Sequence, residues 1–198
     1  MSGTEGQSGA DGGGKRPLRV LVVEDSEFDA RVLVGLLRAG GFEPEFERVE
    51  TAGAMREALG QVPWEVILAD YNLPEFSAPE ALEVLQESQL DIPFIIVSGG
   101  IGEDTAVAAM KSGAHDYLMK GNLARLVPAV ERELRDADVR ASRRQTVKDL
   151  RESELRHRSL IENTSDIIAV LDCKGMIQFA SPACERVLGR STESLVDT

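Results

Sequence analysis

Glu24 and Asp25 are adjacent carboxylates, Asp70 is a third, Ser98 offers a hydroxyl and Lys120 an ammonium, and each follows a short apolar run. If those runs lay side by side, three carboxylates would crowd into one place. They would repel one another, so at neutral pH the cluster would call for a cation. Carboxylate, carbonyl and water oxygens are the ligands that Mg²⁺ prefers. Beside a bound cation, one aspartate can act as a nucleophile towards phosphorus, as aspartyl-phosphate formation requires. The ammonium would then neutralise charge on the phosphoryl oxygens, and the hydroxyl would donate a hydrogen bond to one of them. That chemistry depends on elements able to gather positions so far apart in the chain.

Leu18–Val23 reads as a buried strand, and the Leu33, Leu36, Leu37 face that follows reads as a helix ending at Gly40-Gly41. The alternation continues through a weaker strand at Glu45–Val49, a helix at Ala52–Leu59, a strand at Val66–Ala69 and a helix at Pro79–Glu87. Phe94–Val97 is a strand so apolar that both its faces must be covered. Thr105–Ser112 is helical, Asp116–Met119 is a last strand, and helix resumes after Asn122, read as its N-cap. Five strand–helix repeats predict an α/β domain, a (βα)5 doubly wound parallel five-stranded sheet. Ligands of such sheets sit at the carboxyl ends of the strands. Glu24-Asp25, Asp70, Ser98 and Lys120 all stand at those ends.

In VLVVEDS, VILADYNLPEF, PFIIVSG and GAHDYLMK the chain resembles the receiver domain of two-component response regulators, a flavodoxin-like fold, over about residues 17–138. The resemblance implies that Asp70 is the phosphoacceptor. It implies Mg²⁺ held by Glu24, Asp25, Asp70 and the backbone carbonyl of Asn72, and a phosphoryl group bound by Ser98 and Lys120. Tyr117 would be an aromatic switch that turns inward when Ser98 engages the phosphoryl group. The phosphodonor would be a histidine kinase. Phosphoryl acceptance would be self-catalysed, so the domain is no enzyme acting on an external substrate. Two positions depart from the pattern: Gly121 stands where a cis-proline usually follows the lysine, and the usual glycine near Phe76–Ala78 is missing.

Singly, each position has an ordinary explanation. Asp70 could cap a helix, Glu24-Asp25 could precede one, Ser98 could close a turn before Gly99-Gly100, Lys120 could be solvated, and Tyr117 could be core. Their joint occurrence, in order and at strand ends, favours the site. A phosphorylation-independent dimerisation or docking scaffold is the alternative. A metal-dependent phosphatase with an aspartyl nucleophile commonly has a second aspartate two residues on, where this chain has Asn72.

The formal net charge of −12 argues against direct nucleic-acid binding, which needs a basic footprint. Cys173 and Cys184 lack the spacing of a zinc site and read as free thiols of a reducing cytoplasm. No apolar run is long enough to span a bilayer. Residues 1–16 are rich in Gly and Ser and read as a disordered tail, and residues 17–122 as the receiver core. Val127, Val130, Leu134, Ala137 and Ala141 recur at heptad spacing, broken at Arg143-Arg144. Residues 123–150 are therefore read as a helical, coiled-coil linker through which two copies form a homodimer; the competing reading docks the same face on its own receiver. Residues 151–198 resemble the first half of a PAS sensory domain, with strands at Ile167–Leu171 and Ile177–Ala180, a turn at Lys174-Gly175 and a helix from Pro182. The remaining strands of such a domain would belong to a longer signalling chain.

Overall fold

The computed structural model of the protein describes residues 14–100, 103–163, 166–189 and 191. Most of the sequence-derived tail and the last residues of the PAS-like segment lie outside them. Five strands, β1 (Arg16–Val23), β2 (Phe42–Val49), β3 (Val66–Asp70), β4 (Phe94–Ser98) and β5 (Asp116–Met119), form one sheet in the order β2-β1-β3-β4-β5. Every pairing is parallel. The helices are α1 (Glu27–Ala39), α2 (Ala52–Gln61), α3 (Ala78–Glu87), α4 (Glu103–Lys111) and α5 (Leu126–Asn163).

Side chains alternate across a strand, so the apolar strands feed two layers. Leu21, Val23, Ile67, Ala69, Phe94 and Ile96 pack with α2 and α3 on one face. Val20, Val22, Leu68, Ile95, Val97 and Leu118 pack with α1 and α5 on the other. β2 is an edge strand, which tolerates Pro44 inside it and carries exposed Glu43, Glu45 and Glu47 along it. Trp64 is buried against the first layer, and its indole N–H donates to the Ala58 carbonyl at 2.9 Å.

Two details differ from the sequence reading. Asn122 is not the N-cap of α5: it lies inside a 3₁₀ turn, Lys120–Arg125, with non-helical dihedrals, and α5 begins at Leu126. The helix then runs on to Asn163, so the lapse of the heptad pattern at Arg143-Arg144 leaves the backbone helical. Most consequentially, Leu126, Ala129, Val130 and Leu134 belong to the receiver's own core, with Val127 packed beside them. The first half of the heptad seam therefore covers the sheet. Arg132 also ties α5 to β5, its Nη2 lying 2.8 Å from the buried Asp116 carboxylate.

The chain divides into two compact units, residues 1–139 and 140–198. In the second, β6 (Ala169–Leu171) and β7 (Ile177–Ala180) form an antiparallel pair, followed by α6 (Ala183–Leu188). The turn between the strands uses Gly175 at φ 87°, a dihedral that favours glycine. Among the described residues no helix is long and apolar enough to cross a membrane.

Candidate functional site at the carboxyl edge of the sheet

The strand order reverses between β1 and β3, and that crevice is where a doubly wound sheet binds its ligand. Register puts the predicted residues around it. Val23 pairs with Ala69 and Asp70 pairs with Val97, so Glu24, Asp70 and Ser98 follow one another along the same edge. Glu24, Asp25 and Asp70 each offer a carboxylate oxygen, and these oxygens lie within 4.8 Å of one another. Three hard anionic donors at that spacing fit a small divalent cation.

Lys120 reaches into the same place from the end of β5. Its Nζ lies 2.9 Å from Asp70 Oδ2, 3.0 Å from Glu24 Oε2 and 2.5 Å from Asp29 Oδ2. Burial alone would lower the pKa of this ammonium; the hydrogen bonds to Asp29, Asp70 and Glu24 outweigh burial and raise it above the ordinary lysine value. Lys120 therefore stays charged at any physiological pH. Glu24 is almost wholly buried, and burial raises its pKa, helped by the negative charge of Asp70. The hydrogen bonds from Lys120 and from the Ser26 N–H, at 3.2 Å to Oε1, pull the other way without cancelling it.

Asp70 is half-buried, and its Oδ1 accepts the Asn72 N–H at a long 3.4 Å. Asn72 is exposed in the loop beyond. Ser98 is fully buried, and its Oγ accepts the Gly100 N–H at 3.4 Å, so the turn role considered from sequence is present. Tyr117 packs half-buried against the α2/α3 layer, and its hydroxyl is buried with no hydrogen-bond partner among the described residues. Such a group costs about 1–3 kcal/mol relative to a satisfied one. The peptide bond from Lys120 to Gly121 is trans.

Two residues at the site were not singled out from sequence. Asp29 stands in the first turn of α1, where an acidic residue reads as a partner of the helix dipole. Its spacing from the N-cap Ser26 was the available signal. Arg48, at the end of β2, donates through Nη1 to the Glu24 carbonyl at 2.8 Å, the Asp25 carbonyl at 3.2 Å and the Glu50 carboxylate at 2.9 Å. It clamps the loop that carries the acidic pair, a contact that follows from β2 lying beside β1.

Residues 20–131 match the family model of the response regulator receiver domain, and residues 155–198 match a PAS domain model. The cell cycle transcriptional regulator CtrA of Caulobacter vibrioides is 33% identical over 106 residues, 52% of this chain and 44% of that protein. The two-component response regulator ORR11 of Oryza sativa subsp. japonica is 33% identical over 111 residues, 54% of this chain and 74% of that protein. The signal receiver domain of a LuxO repressor protein from Vibrio parahaemolyticus superposes with a TM-score of 0.57 at 28% identity, covering 64% of this chain and 95% of that one. The chain spans about half the length, or less, of regulators such as CtrA. A parallel five-stranded sheet in this order, with its acidic pocket and matched sequence, makes the chain a member of the response regulator receiver domain family, whose receiver domains are signalling modules.

Proposed function

We propose that the protein is a cytoplasmic, phosphorylation-dependent receiver that takes a phosphoryl group on Asp70 from a histidine kinase and passes the change through α5 to a PAS-linked output. One observation carries the reading: Asp70 shares a metal-sized oxygen cluster with Glu24 and Asp25 while Lys120 holds its other side at 2.9 Å. A carboxylate so placed is oriented and charge-compensated.

In the reaction a carboxylate oxygen of Asp70 forms the new bond to phosphorus, and the bond from phosphorus to the donor breaks. The electron pair leaves with the donor, and Asp70 becomes an acyl phosphate. Glu24, Asp25, Asp70 and the Asn72 backbone carbonyl would hold Mg²⁺, which supplies charge neutralisation on the phosphoryl oxygens. Lys120 contributes a permanent positive charge to the same oxygens. Ser98 presents its hydroxyl from the end of β4. Arg48 keeps the loop of the acidic pair in place through its carbonyls. Tyr117, with its hydroxyl buried and unpartnered, is the residue we assign to switching, because a small rearrangement would relieve that cost. The relay through α5 uses a homodimer. Within the 123–150 linker, Val139, Val147 and Leu150 are exposed, as are Leu155 and Leu160 beyond it, and these are the apolar side chains left for a second copy.

Intact-mass spectrometry with Mg²⁺ and acetyl phosphate, on the protein and on Asp70→Asn, tests the reading. A single phosphoryl adduct on the first and none on the second is the expected result. Equal labelling of the two would sink Asp70 as the acceptor.

A further inference from the structure

If Asp70 is the acceptor, one carboxylate at the site has no part in the scheme. Asp29 is neither within the metal-sized cluster of Glu24, Asp25 and Asp70 nor on a strand end. It nevertheless makes the shortest of the three ion pairs to Lys120. We infer that Asp29 is a positioning residue that competes with the phosphoryl group for Lys120 and so biases the receiver towards its unphosphorylated state, an inference that rests on the reading of Asp70 above.

The local structure explains why Asp29 is free to do this. Ser26 is the N-cap of α1, and its Oγ accepts the Asp29 N–H at 3.2 Å. In a capping box the acid at this third helical position would reach back to the N-cap N–H. Here that N–H already donates to Glu24 Oε1. The start of the helix therefore fixes the Asp29 backbone and leaves its carboxylate to project onto Lys120.

Donor arithmetic gives the competition. An ammonium has three N–H donors, and Glu24, Asp29 and Asp70 each take a hydrogen bond from Lys120. A phosphoryl oxygen can therefore engage Lys120 only if one of these bonds is given up. Charge acts in the same direction. Phosphorylation replaces the single charge of Asp70 by a group near −2, and Asp29 adds a further negative charge one lysine away. Alanine at position 29 removes both obstacles, releasing a donor and lowering the repulsion; asparagine lowers the repulsion but keeps an amide oxygen that can accept from Lys120.

The test measures beryllofluoride, a phosphoryl mimic, binding to the full chain in saturating Mg²⁺ by titration calorimetry, with Mg²⁺ affinity measured separately. Asp29→Asn and Asp29→Ala should each bind beryllofluoride about threefold to tenfold more tightly, the scale of one unit charge a few ångströms away in a high effective dielectric. Mg²⁺ affinity should move much less, because Asp29 is outside the metal cluster. Asp29→Glu should return the affinity towards that of the parent chain, and added salt should shrink the gain. A merely structural role would move both affinities together or neither. Unchanged or weaker beryllofluoride binding in both neutral variants, with the parent chain binding normally, overturns the inference and leaves the reading of Asp70 standing. If the parent chain binds no beryllofluoride in Mg²⁺, and Asp70→Asn behaves identically, the reading of Asp70 fails and the inference falls with it.

Discussion

The receiver sheet and the β6–β7 pair are built from the same kind of residues and end in opposite states. Val66–Ala69 and Phe94–Ser98 are buried throughout, whereas Ala169, Val170 and Leu171 of β6 are all exposed. The difference is layers. A strand inside a five-stranded sheet with helices on both faces has no open side, while a lone antiparallel pair is marginal in water. The same contrast divides α5 along its own length. Leu126, Val130 and Leu134 are in the core, and Val139, Val147, Leu150, Leu155 and Leu160 are each at least 60% exposed or close to it. The candidate site accordingly stands where the backbone is held from both sides, whereas the β6–β7 pair leaves its apolar side chains exposed.

Truncating α5 in its two halves sharpens this comparison most. Leu126→Ala removes a fully buried side chain between α5 and the sheet and should cost about 2–5 kcal/mol. Leu155→Ala removes a side chain 56% exposed in the single chain and, at a protein concentration too low for pairing, should stay within about 0.5 kcal/mol. Urea denaturation of each variant, read by circular dichroism at two protein concentrations, checks the pair. At the higher concentration the proposed homodimer should add a further cost to Leu155→Ala; a cost that stays the same at both concentrations would take Leu155 out of the dimer surface.

How much of this was legible beforehand follows the same physics. Strand order of the chemical residues was readable because a parallel sheet sends every carboxyl end to one edge, so Glu24, Asp70, Ser98 and Lys120 declared themselves by following apolar runs. Asp29 was hidden because an acid in the first turn of a helix is ordinary, and its partner lies 91 positions away. Arg48 was hidden because its acceptors are backbone carbonyls, which no sequence pattern marks. The apolar period of α5 was plain, but a 3–4 spacing describes a face and not what covers it. Val130 and Leu134 turned out to face their own sheet.

Gly40 reports how tightly the docked start of α5 is held. Sequence reads Gly40-Gly41 as a helix stop, and Gly41 does have a positive φ of 95°. Gly40 has an ordinary φ of −82°, so conformational freedom is not its task. A Cβ built there would sit 2.4 and 2.7 Å from the two γ carbons of Val127. Val127 is β-branched, with its Cβ only 3.1 Å away, so it has little room to turn aside. Gly40→Ala should cost about 1–3 kcal/mol in urea denaturation. Adding Val127→Ala should recover much of that loss, giving a coupling of about 0.5–3 kcal/mol in the double-mutant cycle. Independent, additive effects would mean that α1 and α5 part easily, and the rigid half of the comparison would be softer than its burial implies.

The smallest expected effect lies at the site itself, where the well-packed unit contains a group that opposes folding. Burial raises the pKa of Glu24, so the folded chain binds that proton more tightly than the unfolded chain does. Stability from this group is therefore highest below the ordinary carboxyl value of 4.5 and declines as pH rises from there through the folded value. Without Mg²⁺, the charged form of Glu24 is disfavoured by its burial and by the nearby Asp70, and its bond to Lys120 offsets only part of that cost. Glu24→Gln should consequently melt slightly higher than the parent chain at pH 7, and the difference should fade as pH is lowered towards 4.5. Added Mg²⁺ should reverse the order, because a cation that binds the folded state stabilises it in proportion to its affinity, and the variant has lost a carboxylate from the oxygen cluster. If Glu24→Gln instead melts lower at pH 7 without metal, the Lys120 ion pair outweighs the burial. The acidic pocket would then be a stabilising part of the sheet edge in its own right, and strain at the site could no longer be what distinguishes it from the core beneath.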